Sequence, residues 1–397
     1  MQIIFHIDMN AFFASCELNE HPEYRNKPLI VAHNSRRGIV TTASYEARKY
    51  GIHSAMPIYL ALEKCPKLII AEPHFELYRK TSSQFFDIIA NYSDKIEIAS
   101  IDECYVDVSD IVNQYGGIYQ TALKMQTEVF EKLNIQCSIG ISPNKFLSKM
   151  ASDMKKPMGI TMIIRSNIKE KLWPLPIDDM YGIGKKTAPK LKELGILTIG
   201  DLANSKNFDI VRNILGNHTL LYYQHANGLD FSKLHIESRA LKSVGHSTTF
   251  QNDVSDETQI KEILQDLTQH IVARAKKRHL VGNNISITMK YSRFESTVRS
   301  LSLNDYTNDY EILVSHILIL LDRHYDGRPL RLLGVSLNNT INEKKRIKQL
   351  SLFDYQKEEP TPKNMTDDLL EKLNKHHQDS FMRASQLIKN KKGYKHE

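Results

Sequence analysis

Two adjacent carboxylates, Asp102 and Glu103, separate two strand-like runs of the chain. The runs 95–99 and 104–108 are rich in apolar and β-branched residues, which predicts a strand–turn–strand with the acids in the turn. Asp8 ends another apolar run near the amino terminus. Neighbouring carboxylates repel one another unless a cation lies between them. Three carboxylates from two strands at one sheet edge are therefore a candidate site for paired divalent cations in phosphoryl chemistry.

The alternative is an acidic turn that is simply solvated. Asp and Glu are frequent in turns, and the charge at 102–103 alone favours this interpretation. The surrounding motifs have to decide between a metal site and a solvated turn.

Length and composition indicate a globular protein with several domains. The chain has 397 residues, of which 41% are hydrophobic and 25% charged, and this length predicts about two to four domains. No apolar run approaches the roughly 18 residues of a membrane span, and no signal-like segment precedes Asp8, so we expect a cytoplasmic protein without membrane contact. The four cysteines lack metal-ligand spacing. A net charge of +7 favours a polyanionic partner.

The pattern of predicted elements changes along the chain. Residues 1–165 alternate strand-like and helix-like runs, as a mixed α/β fold requires. Residues 166–233 are predicted to be helices with short loops, and a polar connector follows at 234–242. The segment 243–340 has the order strand, helix, strand, strand, helix, strand, which is typical of a split βαβ sandwich. The Lys- and Glu-rich segment 341–397 is predicted to be flexible at its start.

Two further segments contain residue types that suit phosphate. Tyr45 and Arg48 follow a predicted short strand at 38–42 and lie three positions apart, hence on one helical face. A hydroxyl and a planar guanidinium there suit the non-bridging oxygens of a triphosphate. A lysine in the Pro/Gly turn at 155–159 would supply positive charge to leaving phosphates. A surface arginine and a solvated lysine are the alternatives.

Five motifs together resemble the Y-family DNA polymerases in their order and approximate spacing. They lie at 8–13 (Asp-Met-Asn-Ala-Phe-Phe), 45–48 (Tyr-Glu-Ala-Arg), 100–103 (Ser-Ile-Asp-Glu), 140–145 (Gly-Ile-Ser-Pro-Asn-Lys) and 153–159 (Asp-Met-Lys-Lys-Pro-Met-Gly). Within that family, 45–48 and Ser-Ala-Met-Pro at 54–57 are most similar to bacterial DNA polymerase IV. Asp-Met-Asn-Ala-Phe and Ala-Ser-Cys-Glu at 14–17 resemble the catalytic subunit of DNA polymerase V.

The resemblance implies an α/β multidomain, right-hand polymerase with a palm, small fingers, a helical thumb and a split βαβ-type little finger. The implied boundaries are 1–18 and 76–165 for a discontinuous palm, 19–75 for the fingers, 166–233 for the thumb, 234–242 for a linker, 243–340 for the little finger and 341–397 for a tail.

The resemblance also implies roles around the acidic pair. Asp8, Asp102 and Glu103 would be the catalytic carboxylates and would bind two Mg²⁺, with the Met9 carbonyl as a further ligand and Mn²⁺ as an alternative metal. One metal would lower the pKa of the primer 3′-hydroxyl, and the other would hold the triphosphate. Phe13 would be the steric gate, with its ring in the space that a ribose 2′-hydroxyl needs.

The triphosphate and the DNA have implied partners as well. Tyr45, Arg48 and Lys156 would hold the β- and γ-phosphates. The segment 181–187 resembles a helix–hairpin–helix, whose glycines let backbone amides approach a DNA phosphate, although an ordinary turn is the alternative. The expected DNA-binding residues are Gly182, Gly184, Lys185 and Lys186 in the thumb and Lys242, Arg293 and Arg299 in the little finger.

A short peptide at 349–353, Gln-Leu-Ser-Leu-Phe, closely resembles the clamp-binding peptide of bacterial polymerases. Gln349, Leu350, Leu352 and Phe353 can enter pockets of a partner while the flanking chain stays loose. The alternative is a fortuitous apolar patch in a tail.

These features predict a monomeric, error-prone DNA polymerase for lesion bypass, which would use primer–template DNA and dNTPs and be recruited by the sliding clamp. Two alternatives are a nucleotide cyclase on the same palm and a non-catalytic DNA-binding accessory protein. The hairpin and the clamp peptide favour a polymerase over a cyclase. The intact acid set favours an enzyme over an accessory protein.

Overall fold

The computed structural model describes residues 2–237 and 240–346. The first 162 residues form two sheets with their helices. In chain order the elements are β1 (Ile4–Met9), α1 (Phe12–Glu20), β2 (Leu29–Val31), β3 (Thr42–Ala43), α2 (Tyr45–Arg48), α3 (Ile58–Lys64), β4 (Ile69–Ala71), α4 (Phe75–Ala90), β5 (Ile96–Ile98), β6 (Glu103–Asp107), α5 (Ile118–Leu133), β7 (Cys137–Ser142), α6 (Lys145–Met154) and β8 (Ile160–Met162).

The larger sheet has the strand order β5-β6-β1-β7-β8, with β1 antiparallel to both of its neighbours. Every residue of β1 is buried, because both faces of the strand are covered. Phe5 and Ile7 pack with Met125 of α5 in the main core. His6 and Asp8 alternate to the other face, where α6 packs and the Ser152 hydroxyl lies 2.8 Å from His6 Nδ1. The alternation of side chains along β1 therefore places Asp8 on the face of the sheet opposite the main core.

The smaller sheet has the order β3-β2-β4 and packs with α2 and α3. The strand predicted at 38–42 is wrong apart from its last residue, because β3 comprises Thr42–Ala43. Val40 donates to the Met56 carbonyl and Thr41 to the Val31 carbonyl, so the segment bonds to two different partners and forms no continuous ladder. Helix α3 and strand β4 were not predicted from the sequence.

The next part of the chain is helical, as predicted. Its helices are α7 (Ile168–Lys171), α8 (Ala188–Glu193), α9 (Ile199–Asn204), α10 (Phe208–Leu215) and α11 (Thr219–Ala226). They are short, and they share one core with Phe146 and Leu147 of α6. Helices this short are marginal by themselves, so the shared core is what stabilises them. This packing fixes the helical part against the sheet that carries Asp8.

The last described part is a sheet of four long strands and one short strand, with two helices. Its elements are β9 (Ser243–Val254), α12 (Glu257–Lys277), β10 (Leu280–Tyr291), β11 (Ser296–Thr307), α13 (Tyr310–His324), β12 (Leu330–Asn338) and β13 (Ile341–Asn342), with the order β11-β10-β12-β9. Ile287 and Met289 of β10 pack under the helices, whereas Thr288 and Lys290 alternate to the open face. The predicted βαββαβ order is confirmed.

The fingers-like part contacts this last sheet directly. The Arg37 guanidinium donates to the Phe250 carbonyl at 2.9 Å and to the Asp253 carboxylate at 2.6 Å. Arg36 donates to the Asn252 side chain at 2.9 Å. These contacts attach the end of β9 to the loop after β2. Within 2–237 and 240–346, no helix is long and apolar enough to cross a membrane.

Candidate functional site

The predicted acids meet at one edge of the larger sheet. Asp8 and Glu103 stand directly opposite each other because β1 and β6 pair in that register. Asp102 precedes β6 in the turn, and its carbonyl accepts the Met9 amide at 3.0 Å. Its carboxylate accepts the Ser100 hydroxyl at 2.6 Å. The structure therefore places the three acids and Met9 along one edge of the sheet.

Two lysine ammonium groups contact these carboxylates. Lys149 Nζ lies 2.8 Å from Glu103 Oε1 and 3.4 Å from Asp8 Oδ2. Lys156 Nζ lies 2.7 Å from the same Asp8 oxygen. Asp153 forms ion pairs with both lysines, at 2.7 Å from Lys156 and 3.5 Å from Lys149. The predicted lysine of the 155–159 turn thus reaches the acid edge.

Sequence reasoning missed Lys149. The feature that could have revealed Lys149 is its position in α6, where it is buried among Leu147, Met150 and Ala151 in a stretch of otherwise small and apolar residues. A buried lysine requires a buried acid as its partner, because an unpaired charge is costly in the interior. That reasoning leads to the acid edge, which α6 covers.

The surroundings of Asp8 and Glu103 shift the pKa values of these two carboxyl groups in opposite directions. Burial and the neighbouring Glu103 raise the pKa of Asp8 to about 7. Burial also acts to raise the pKa of Glu103, but contacts with His6, Asp8 and Lys149 outweigh it and hold that pKa well below its usual range. Burial raises the pKa of Asp102. Cations close to this edge therefore strongly affect which carboxyl group is ionised.

The donor types at this edge suit a hard divalent cation. Carboxylate oxygens and a backbone carbonyl are the ligands that Mg²⁺ and Mn²⁺ prefer. In the part of the chain that the structure describes, no three His, Cys, Asp or Glu side chains already converge on one point, and Lys149 and Lys156 neutralise two of the acids. Asp8, Asp102 and Glu103 are the side chains that would hold a metal.

A cavity of about 300 Å³ opens between the acid edge and α2. Its walls include the three phosphate candidates and two of the acids: Tyr45, Arg48, Lys156, Asp8 and Asp102. Arg48 Nε donates to the Ala43 carbonyl at 3.0 Å, and its guanidinium lies 4.7 Å from the centre of the Tyr45 ring. The buried Tyr45 hydroxyl has no hydrogen-bond partner among residues 2–237 and 240–346, so a ligand can use it.

Local interactions fix both walls of this cavity. The Ser44 hydroxyl accepts the Ala47 amide at 3.2 Å and caps α2, which sets the face that carries Tyr45 and Arg48. On the opposite wall, the side chain of buried Asn10 bonds with the Ser138 hydroxyl and accepts the Met158 amide at 2.9 Å. Asn10 therefore braces the turn that carries Lys156.

The ring of Phe13 is held from two helices. It stacks on Tyr78 of α4 with ring centres 4.2 Å apart and planes within 11°. The Tyr78 hydroxyl donates to the buried Glu17 carboxylate, which also lies 3.1 Å from His74 Nδ1. An aromatic ring fixed in this way can exclude volume, as a steric gate requires.

The thumb candidates occupy one loop before α8. Gly182 adopts a φ of +95°, and a Cβ there would lie 2.8 Å from the Tyr222 hydroxyl, which donates to its carbonyl. Gly184 has no atom near the position of a Cβ, so its backbone is open to approach. Lys185 and Lys186 follow in the same loop and are exposed. This loop can present amides and ammonium groups to a phosphate.

The little-finger candidates do not share one surface. Lys242 precedes β9, and Arg293 lies in the hairpin between β10 and β11. Arg299 pairs with Ile287, whose side chain packs under the helices, so Arg299 lies on the helix-covered side at the sheet edge. The clamp-binding candidates Gln349, Leu350, Leu352 and Phe353 lie outside the described residues.

The arrangement is similar to that of known families. Residues 7–153 match the impB/mucB/samB family, 241–352 match the C-terminal domain of that family, and 165–196 match the IMS family HHH motif. The last match covers the predicted hairpin.

Similar whole proteins are DNA polymerases IV. That of Oceanobacillus iheyensis is 39% identical, over 89% of this chain and 85% of the relative. The DNA polymerase IV of Bacillus velezensis is 37% identical, over 98% of this chain and 94% of the relative. The DNA polymerase IV of Clostridium kluyveri is 38% identical, over 98% of this chain and 99% of the relative.

Solved structures confirm the fold class. A Y-family DNA polymerase chimera of Dbh and Dpo4 superposes with a TM-score of 0.76 and 30% identity, over 85% of this chain and 99% of the chimera. DinB from Sulfolobus solfataricus superposes with a TM-score of 0.59 and 29% identity, over 85% of this chain and 98% of DinB. The predicted right-hand architecture and the predicted resemblance are thus both confirmed. This chain belongs to the Y-family of DNA polymerases.

Proposed function

We propose that this protein is a template-directed, error-prone DNA polymerase for lesion bypass, which adds dNTPs to a primer 3′-hydroxyl. The observation that carries the proposal is that one cavity is lined by both acids and phosphate candidates in a Y-family chain. One wall provides Asp8 and Asp102, and the other provides Tyr45 and Arg48. This arrangement is suited to transfer of a nucleotidyl group from a triphosphate.

The acids provide the metal-binding part of the chemistry. Two Mg²⁺, or Mn²⁺, held by Asp8, Asp102, Glu103 and the Met9 carbonyl would supply activation of the primer hydroxyl and neutralisation of triphosphate charge. The residues of the chain orient the substrate. Lys156 offers a compact positive charge, which suits the β- and γ-phosphates.

Arg48 and Tyr45 bind the same phosphates from the other wall. A guanidinium binds two phosphate oxygens at once, and the Ala43 carbonyl already fixes the direction of Arg48. The unpartnered Tyr45 hydroxyl donates to a further oxygen. Phe13, fixed by its stack on Tyr78, excludes a nucleotide with a 2′-hydroxyl.

DNA is held without sequence readout. The loop with Gly182, Gly184, Lys185 and Lys186 contacts phosphates of the duplex, and Lys242, Arg293 and Arg299 add positive charge from the little finger. The domains that do this are the palm (1–18 and 76–165), fingers (19–75), thumb (166–233), linker (234–242) and little finger (243–340). Small fingers and the lack of sequence readout suit a tolerant, low-fidelity enzyme.

Recruitment uses the tail. The peptide 349–353 binds the sliding clamp through Gln349, Leu350, Leu352 and Phe353, and the protein works as a cytoplasmic monomer. Deleting 349–353 should remove clamp-stimulated synthesis and leave clamp-independent synthesis intact. Equal synthesis with and without the peptide in the presence of the clamp would contradict this assignment.

Primer extension tests the function as a whole. The full chain is given Mg²⁺, dNTPs and a labelled primer on an undamaged template and on one with a single abasic residue. We expect extension on the first and insertion opposite the abasic residue on the second. Failure on both templates contradicts polymerase activity, and failure on the damaged one alone contradicts bypass.

A further inference from the structure

The hairpin between β10 and β11 presents an exposed aromatic side chain among cations. Phe294, at its tip, is 62% exposed and has a φ of +64°, a left-handed conformation that is rare for a bulky residue. Lys290 Nζ lies 4.8 Å and the Arg331 guanidinium 4.6 Å from the centre of its ring. These cation–π contacts hold an apolar ring in solvent at a defined place.

The two cations belong to the sheet on which the ring lies. Lys290 projects to the open face, because its neighbours Met289 and Tyr291 are buried under the helices. Arg331 comes from β12, the strand next to β10. The side chain of Phe294 stays largely exposed despite both contacts, so part of its ring surface is free for a ligand.

The charge at this corner is positive. Arg328 nearby forms ion pairs with Glu295 and Asp326. Within the residues that the structure describes, no ion pair is formed by Lys290, Arg293 or Arg331. An apolar peptide would gain little from two cations at one ring and a third in the same hairpin, whereas a polyanion with flat apolar rings would use both features.

The hairpin lies at the end of the sheet that contacts the fingers. Leu330 pairs with Tyr291 of β10 on one side and with Val254 of β9 on the other. The hairpin after Tyr291 and the end of β9 therefore lie at the same end of the sheet. Two strand spacings, about 10 Å, separate them across the sheet. Asp253, next to Val254, is the partner of Arg37 in the fingers. The exposed ring therefore lies where little finger and fingers meet.

We propose that Phe294, with Lys290 and Arg331, forms a stacking platform for an unpaired base of the template strand. The inference rests on the proposed polymerase function, because it requires a single-stranded template beyond the duplex. An exposed aromatic ring beside cations is the arrangement with which proteins bind single strands, since the base stacks on the ring and the cations contact phosphates. Bases inside a duplex offer no free face, so the ligand is an unpaired nucleotide.

Binding to three DNA molecules tests the platform. All three carry the same duplex; one has a template overhang with bases, one has an equally long abasic overhang and one is blunt. Fluorescence anisotropy compares the full-length wild type, Phe294→Ala and Phe294→Trp. The matched control is Tyr119→Ala, which removes another half-exposed aromatic side chain on α5, on the face of the palm sheet opposite Asp8.

Stacking predicts a loss that depends on the overhang bases. Phe294→Ala should weaken binding to the base-bearing overhang by about fivefold and leave the abasic and blunt DNA nearly unchanged. Phe294→Trp should retain wild-type affinity, and Tyr119→Ala should have no effect. An equal loss on all three DNA molecules, or no loss on any, overturns the proposal; the second result would point to a protein partner for this corner.

Fluorescence gives a second, independent measurement. The chain contains one native tryptophan, Trp173, so the indole introduced by Phe294→Trp is easily distinguished by difference. Its emission should be quenched by the base-bearing overhang and not by the abasic one, and equal emission with both overturns the stacking. Primer extension by the wild type is measured separately, so absent polymerisation would contradict the proposed function, whereas normal extension without base-dependent binding would contradict the platform alone.

Discussion

Asp8 and Glu103 face each other across one antiparallel pair of strands, and the Lys149 ammonium contacts both carboxylates. This cation offsets the repulsion of two partly buried acids on one face. The arrangement explains how a sheet edge tolerates the acid set at all. The two lysines also differ in position, because Lys149 contacts the acid edge, whereas Lys156 additionally lines the cavity between that edge and α2.

Replacement of Lys149 by Met should destabilise the fold and make its stability depend on divalent cations. Loss of the ammonium leaves Glu103 without its lysine and Asp8 with Lys156 alone, and we expect the free energy of unfolding to fall by about 3 kcal/mol. A divalent metal ion at the same carboxylates should restore part of the loss. Denaturant unfolding with Mg²⁺ and with a chelator measures both effects.

The matched control for Lys149 is Lys145→Met on the same helix. Lys145 pairs with Glu97 at 2.7 Å, and both side chains are about as buried as Lys149. This variant should lose similar stability and gain none of it back with Mg²⁺, since Glu97 is not part of the acid edge. Equal behaviour of the two variants would contradict a cation site at Asp8 and Glu103.

Phe13→Ala should relax the selection against ribonucleotides. Removing the ring opens the space that a 2′-hydroxyl would need, so the dNTP/rNTP preference in kcat/KM should fall by at least about tenfold, or about 1.4 kcal/mol. Tyr78→Ala should act in the same direction and less strongly, because it removes the ring on which Phe13 stacks. Phe130→Ala, an exposed aromatic on α5, is the control. Unchanged sugar selection in Phe13→Ala would refute the gate.

Arg48→Ala should weaken nucleotide use more than DNA binding. The guanidinium lies in the cavity wall, where we propose that it binds two phosphate oxygens, and its loss should raise the KM for dNTP by about tenfold. Arg48→Lys should restore only part of this affinity, because an ammonium lacks the planar fork. Steady-state kinetics at saturating DNA measure the KM, and anisotropy measures DNA affinity. A normal KM in Arg48→Ala would exclude the residue from the phosphate site.

The ionisation of Asp230, at the junction of the thumb and the palm, should make the stability of the fold depend on pH. Burial acts to raise the pKa of this carboxyl, but contacts with His225, the Ser232 amide and the Phe146 amide outweigh it and hold the pKa well below its usual range. Its stabilisation is therefore complete above the unfolded pKa of about 3.9 and is lost as the pH falls through the folded pKa.

Urea unfolding of wild type and Asp230→Asn between pH 7 and pH 3 checks this linkage. We expect the variant to be less stable at pH 7 and the difference to shrink below about pH 4. A difference that does not change with pH would mean that packing, and not the charge of Asp230, stabilises this junction.

Much of the fold follows from patterns that are local in the sequence. The helix Ile118–Leu133 and the strand Cys137–Ser142 belong to the alternating runs predicted within 1–165, and each has an apolar pattern of its own. The helix Ile58–Lys64 and the strand Ile69–Ala71 were not predicted. Both are short, and their positions depend on packing within the small sheet more than on their own periodicity.

The site was predictable where chemistry and strand order coincide. Asp8, Asp102 and Glu103 each follow or precede an apolar run, so their meeting at one edge follows from strand pairing. Lys149 was missed because its role appears only once α6 lies on the sheet. The platform at Phe294 was missed for the same reason, since Arg331 is distant in sequence and reaches the ring through the β10–β12 pairing.

Single-turnover primer extension by Asp102→Asn and Glu103→Gln, with DNA affinity measured on the same preparations, tests the acid edge most directly. The wild type should extend the primer with Mg²⁺ and dNTPs. Each variant should lose at least about a thousandfold in rate, since these carboxylates are assigned to the metal ions that stabilise transferring charge, while DNA affinity changes little. Variants that retain near wild-type rates, or that lose activity only because DNA no longer binds, would contradict a two-metal site at Asp8, Asp102 and Glu103.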